Sequence, residues 1–115
     1  ILKRGGLYRV RRPPGDPKPA RMFVVVSRQP LIDSIYSTVI CAPVFTHYLA
    51  LPTQVPIGTA EGVQHESAVH CDGVVSLEKS RLSDFVGSLG PHRMRELDNA
   101  LLAALGLPQG LRRIV

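Results

Sequence analysis

Up to Leu89 the apolar residues come in short runs separated by proline and glycine, and after Pro91 the spacing changes from strand-like to helical. Gly6-Leu7-Tyr8-Arg9-Val10-Arg11 alternates apolar and polar positions with period two, which predicts a half-buried strand. Pro13, Pro14, Gly15, Pro17 and Pro19 then forbid ladder hydrogen bonds and predict a loop, stiffened by its fixed φ angles. Met22 to Ser27 is a continuous apolar, β-branched run of the kind found at the centre of a sheet. Thr38 to Val44 predicts another such strand, with pairing expected to stop at Pro43. Pro52 and Pro56 limit Gln54 to Ile57 to a short edge strand, and residues 58–66 read as a connecting loop. Ser67 to Ser76 predicts the longest later strand, followed by a helical turn over Glu78 to Leu82 and a last strand over Phe85 to Leu89.

One segment is clearly helical. Pro91 suits a first helical position, Met94, Leu97, Leu101, Leu102 and Leu105 recur at three and four, and Gly106 is placed as a C-cap. Five to seven short strands and one terminal helix, with no helix between the early strands, predict a mainly β fold with a C-terminal helix, a small and strongly bent barrel rather than a βαβ unit. The 115 residues have room for one domain.

Composition narrows the setting. The longest apolar stretches, Met22 to Val26 and Ala100 to Leu105, fall far short of the roughly 20 residues that span a bilayer. Ile-Leu-Lys-Arg-Gly-Gly at the N-terminus lacks the apolar region of a secretory signal, so the expected compartment is the cytoplasm. Cys41 and Cys71 sit in apolar runs and are expected to be free, buried thiols. His47, His65, His70 and His92 are scattered without zinc-ligand spacing, and no cofactor is called for. Residues 1–28 carry eight basic side chains against Asp16 alone, a balance of +7, while the remainder has six against eight acids, a balance of −2. So concentrated a field attracts phosphate chains, although a solvated face that keeps the protein soluble has the same charge pattern.

Gly-rich phosphate loops, a Ser-centred nucleophile elbow and a His-Glu-x-x-His pattern are all missing from the sequence. What remains are polar residues at the ends of apolar strands, where a small barrel presents side chains to a ligand. Arg21 precedes the Met22 to Ser27 strand, Thr46 and His47 follow the Thr38 to Val44 strand, and Asp72 interrupts a later strand beside Cys71.

The ordered pattern resembles the MazF/PemK family of toxin endoribonucleases, or mRNA interferases. The resemblance is carried by Arg4-Gly5-Gly6-Leu7-Tyr8, Arg21-Met22-Phe23-Val24-Val25-Val26-Ser27, Cys41-Ala42-Pro43-Val44-Phe45-Thr46, Leu51-Pro52-Thr53-Gln54-Val55 and Glu78-Lys79-Ser80-Arg81-Leu82. It closes with Asp98-Asn99-Ala100-Leu101-Leu102 and Leu105-Gly106-Leu107. It covers nearly the whole chain and implies an SH3-like barrel, a homodimer, and metal-free cleavage of single-stranded RNA at short specific sequences. It also implies a cognate antitoxin whose acidic, initially disordered tail lies in the basic groove. Arg21 matches the family's arginine before the second strand. Phe45 falls where many relatives have threonine, and Thr46 comes one place later, as in members with an aromatic-serine pair. His70-Cys71-Asp72 is similar to an Arg-Cys-Asp triplet that supplies acid and base in the PemK-like branch, and Gly73 and Val75 replace a Gln and Arg pair.

Metal-free RNA cleavage needs a base for the 2′-hydroxyl proton, a cation for the crowded phosphorane and an acid for the leaving 5′ oxygen, and it yields a 2′,3′-cyclic phosphate. Arg21 is assigned to phosphorane stabilisation and acid delivery, Thr46 to holding the scissile phosphate, and Asp72 or His70 to the base. Arg11, Arg12, Asp16 and Lys18 on the proline-rich loop, with Phe45 and His47, are the expected RNA contacts. Two other classes fit the same barrel: a non-catalytic member that inhibits a protein target such as gyrase, and a plain nucleic-acid-binding barrel.

Overall fold

The computed structural model describes residues 2–108. Seven strands form one sheet: β1 (Gly6–Val10), β2 (Arg21–Val25), β3 (Thr38–Phe45), β4 (Gln54–Ile57), β5 (Ser67–His70), β6 (Val75–Glu78) and β7 (Asp84–Ser88). A one-turn helix, α1 (Gln29–Asp33), follows β2, and α2 (Pro91–Leu105) follows β7. The order is β4-β5-β3-β2-β1-β7, with β6 also paired to β3, and every pairing is antiparallel.

The sheet is buried on both faces near its centre. Leu7, Val24 and Ala42 point to one core with Val55, Val69 and Leu97, whereas Tyr8, Phe23, Val25, Val39 and Cys41 point to a second core with Val10, Ile32 and Leu82. This corrects the half-buried reading of β1: Tyr8 is a core residue, edge-on to Phe85 at 5.6 Å, and Arg9 is the exposed position of the strand. For β2 the double burial is what its unbroken apolar run predicts.

Pro43 does not end its strand. It pairs with Phe23 inside the ladder, and β3 runs on to Phe45. On its other edge β3 meets β6 over residues 38–41 and β5 over residues 44–45, so Pro43 lies in the gap between the two partners, where no ladder donor is required.

That gap also corrects the expected Ser67 to Ser76 strand. Between the pairs Val44↔Val69 and Cys41↔Val75, β3 advances three residues while the opposing chain advances six. The surplus is taken up by a 3-10 turn over Cys71–Gly73, a wide bulge that anchors Cys71 in the core and turns Asp72 outward.

Beyond β4 a 3-10 turn over Thr59–Glu61 brings the chain against β7. A Cβ on Gly87 would collide with the Glu61 carbonyl, and one on Gly62 would lie 2.6 Å from the Val86 carbonyl oxygen. The two glycines thus let the end of the sheet meet its other edge by backbone contact, which closes the bent sheet without a further ladder.

Helix α2 begins at Pro91 and is capped after Leu105 by Gly106, which holds the left-handed conformation at φ 70°, as its sequence predicts. Its buried stripe is shifted from the expected one. Leu97 and Ala100 are buried, and Met94, Leu101 and Ala104 pack beside them, while Leu105 is 63% exposed. Arg4 fastens the helix to the sheet, donating from Nη2 to Asp98 (2.9 Å) and from Nε to the Val26 carbonyl (3.0 Å). Lys79 donates to the Leu31 and Ser34 carbonyls at 3.1 and 2.7 Å, closing the end of α1. Arg4, Lys79 and Asp98, all in the motif segments, therefore serve the fold.

Candidate active site

Arg21 opens β2 at the base of the proline-rich loop, and its guanidinium is held by rings rather than by acids. The guanidinium carbon lies 5.0 Å from the centre of the Phe45 ring and 5.5 Å from that of Phe23. Phe45 is exposed at the end of β3 and meets His70 edge-on, with ring centres 4.8 Å apart at 85°. Arg21, Phe45 and His70 thus form a row across three neighbouring strands. The register explains it: Met22 pairs with Val44, and Val44 with Val69, so the residues beside these pairs fall together.

His70 is tied to the chain after β3. Its Nε2 lies 2.9 Å from the His47 carbonyl oxygen, which can only accept. The ring therefore donates there from Nε2. His47 enters the site through this carbonyl, while its side chain stays exposed.

Asp72 is placed differently. Its Oδ2 accepts a 2.7 Å hydrogen bond from the Thr53 hydroxyl, and the Thr53 carbonyl accepts one from the Cys71 N–H at 2.9 Å. The two bonds latch the bulge to the turn before β4. Asp72 lines neither of the clefts that meet at Arg21.

The larger of those clefts, about 710 Å3, has Arg9, Arg12, Arg21, Phe45, Thr46 and His65 on its walls. Thr46 also borders the next cleft along, about 540 Å3, with Tyr48, Glu66 and Arg93. The smaller cleft on the other side of Arg21, about 350 Å3, is bounded by Arg11, Arg12, Arg21 and Arg81. Arg12 and Arg21 stand on the ridge between the two.

The loop leading to Arg21 is folded on itself. Arg12 donates from Nε to the Pro19 carbonyl at 2.9 Å and lies 3.8 Å from Asp16, whose Oδ1 accepts the Lys18 N–H at 3.0 Å. Asp16 thereby shapes the loop as an Asx turn, and Lys18 points to neither cleft. The structure thus brings Arg21, Phe45 and Thr46 to one cleft wall with Arg12, and Arg11 to the cleft beyond it; His70 joins them only through the Phe45 ring and, like Asp72 and Lys18, lines neither cleft. Thr53, His65 and Arg81 were not singled out from sequence. Thr53 and Arg81 lie in segments that carry the family resemblance, and that was their available signal.

Both cysteines are free and buried. Burial pushes the Cys41 thiol up to about 12 and the Cys71 thiol up to about 11, the latter helped by the neighbouring Asp72 charge. Neither is a nucleophile at neutral pH. Among the described residues no three His, Cys, Asp or Glu side chains come together as metal ligands.

The family model described as PemK-like, MazF-like toxin of type II toxin-antitoxin systems matches residues 3–105. The chain belongs to this family. Among the PemK/MazF relatives, the endoribonuclease MazF4 of Mycobacterium tuberculosis is 34% identical over 58 residues, half of this chain. The chain spans about half the length of the curated relatives it matches, 53% for MazF4. A solved mycobacterial endoribonuclease in complex with its cognate antitoxin is 28% identical, with a TM-score of 0.80 over 94% of this chain and 98% of that one. A second mycobacterial endoribonuclease gives 28% and 0.76, covering 91% of each chain. The expected PemK/MazF barrel is therefore borne out in sequence and in fold.

Proposed function

We propose that this PemK/MazF chain is a toxin endoribonuclease that cleaves single-stranded RNA without a metal, leaving 2′,3′-cyclic phosphate and 5′-hydroxyl ends. The observation that carries the reading is the row of Arg21, Phe45 and His70, in which Arg21 and Phe45 share a cleft wall with Thr46 and His70 stands against the far side of the Phe45 ring. A scissile phosphate seated beside Arg21 meets several fixed guanidinium donors, which neutralise charge as the phosphorane forms. The Thr46 hydroxyl holds a non-bridging oxygen. His70 Nδ1 takes the 2′-hydroxyl proton, the 2′ oxygen attacks phosphorus, and the 5′ oxygen leaves with a proton from water held by the guanidinium. Between the two candidate bases the geometry favours His70, because its ring packs against Phe45 beside Arg21, whereas Asp72 is held by Thr53.

Arg11, Arg12 and Phe45 supply the remaining RNA contacts, the arginines to phosphates and the ring to a base. We further propose a homodimer working in the cytoplasm, inhibited by an antitoxin whose acidic tail follows the basic clefts. The mycobacterial endoribonuclease solved with its cognate antitoxin supports that partnership.

The deciding experiment incubates the protein with a long RNA in EDTA, maps the 5′ ends, and asks whether a kinase labels them without prior phosphatase. Discrete cuts with directly labelled ends are expected. Intact RNA at stoichiometric protein would sink the proposal and favour a non-catalytic barrel.

A further inference from the structure

In the mechanism above a water serves the leaving 5′ oxygen, and a water is a weak acid unless a side chain resupplies its proton. The Arg21 guanidinium keeps its protons and acts as the cation at phosphorus, so the donor has to come from elsewhere in the cleft. The cleft of about 710 Å3 that holds Arg21, Phe45 and Thr46 has arginines on its walls and no carboxylate. His65 is its one lining side chain of a type that exchanges protons near neutral pH.

The fold presents His65 from a braced loop. Residues 58–66 connect β4 to β5, and buried Glu61 anchors them: its Oε1 accepts the Gly58 N–H at 2.7 Å and its Oε2 lies 3.8 Å from Arg93 of α2. Gly62 lies against the backbone of β7, and Ser67 donates from Oγ to the His65 carbonyl at 2.9 Å. The main chain at His65 is thus held, while its ring is exposed and has no hydrogen-bond or ionic partner among the described residues. Of the cleft's cations, Arg9 is paired with Asp84 and Arg12 with Asp16.

Its place relative to His70 follows from the pleat. Met22, Val44 and Ser67, which line the cleft with His65, belong to one face of the sheet, and Ala68 and His70 to the other, because successive residues of a strand point to opposite faces. Phe45 ends β3 between the two. In-line displacement at phosphorus needs its base at the entering oxygen and its acid at the leaving oxygen, on opposite sides.

We infer that His65 is the general acid of the cleavage: as imidazolium it passes a proton through the water at Arg21 to the leaving 5′ oxygen, while His70 removes the 2′-hydroxyl proton from the other side. The bond from the 2′ oxygen to phosphorus forms as the bond from phosphorus to the 5′ oxygen breaks. One proton is taken and one is given, and exchange with solvent restores both rings. The inference rests on the RNA-cleaving reading and names the group that completes it.

The test compares an all-oxygen RNA with one carrying sulfur in place of the bridging 5′ oxygen at one mapped cut site, because a thiolate leaves without prior protonation. Single-turnover cleavage by His65→Ala is expected to be about a hundredfold or more slower than wild type on the oxygen RNA, and to run at about the wild-type rate on the sulfur RNA. His65→Gln, which stays polar but gives no proton, should behave the same way; the position is exposed, so folding is not at stake. His70→Ala, lacking the base, should be slow on both RNAs. His92→Ala, at an exposed histidine of α2 outside the cleft, is the control and should match wild type on both.

If the two His65 variants cut the oxygen RNA as fast as wild type, or are slowed equally on both RNAs, His65 is not the acid, and the cleavage reading stands on the wild-type cuts. If the wild type cuts neither RNA, the cleavage reading falls and the acid with it.

Discussion

At the residue scale the site depends on how a single cation is held. Arg21 has ring faces beside it in place of acids, so its charge is oriented but not neutralised, a state suited to receiving a phosphate. Arg21→Ala is expected to abolish RNA cleavage, by about a thousandfold or more, because a donor to a developing oxyanion contributes on that order. Circular dichroism and the melting temperature should stay near wild type, since Arg21 is only half-buried and each removed cation-π contact is of about 0.5 to 1 kcal/mol. Phe45→Leu keeps apolar volume but removes the ring, and a two- to fivefold loss in cleavage rate is expected, about the value of one such contact. His70→Ala should cost far more than Asp72→Asn, and comparing the two rates identifies the base; the reverse order would move the base to Asp72.

The thiols make a separate prediction at this scale. Cys41 and Cys71 titrate at about 12 and about 11 when folded, against 9.0 when exposed. The unfolded chain therefore releases these protons first, so their contribution to stability is complete below pH 9 and is lost as pH rises through the folded values. Burial moves the Tyr8 hydroxyl in the same direction. Urea midpoints in reducing buffer should fall between pH 8.5 and 11, and less steeply in Cys71→Ala.

At the scale of elements, the bulge between β5 and β6 is the feature that builds the site. Three surplus residues let His70 face Phe45 while Cys71 stays in the core and Asp72 reaches Thr53. Thr53→Val removes the hydroxyl that Asp72 accepts from, and a stability loss of about 1 kcal/mol is expected from denaturant melts. The closure of the sheet is more demanding. Gly87→Ala forces a Cβ into the Glu61 carbonyl, so a loss of about 3 kcal/mol or more is expected, or failure to accumulate folded protein. The sequence showed Gly62 only as a loop glycine, because nothing local reveals that β7 lies against it.

At the scale of the whole molecule, charge and fold agree. The +7 balance of residues 1–28 is delivered to one place because β1 and β2 pair and their connecting loop stands over the clefts. RNA affinity should fall with salt, with a log-log slope of about −2 to −3 if three or four phosphates are neutralised. A flat salt response would mean that the basic segment serves solubility alone.

Much of this was legible from the chain itself. The mainly β class, the β2 and α2 assignments and the proline-rich loop follow from local patterns, since apolar period, proline and capping glycine act over a few residues, whereas the catalytic candidacy of Arg21 came from the family resemblance. What lay beyond the sequence was pairing. The burial of β1 on both faces, with Leu7 opposite Tyr8 and Val10, the passage of Pro43 through the ladder, the split of Ser67 to Ser76 by a bulge and the latch from Thr53 to Asp72 all depend on which strand lies opposite. Sequence determined what each segment is able to do, by the conformations its residues permit. Tertiary structure decided which side chains meet, because the register of distant strands fixes contacts that no local pattern carries.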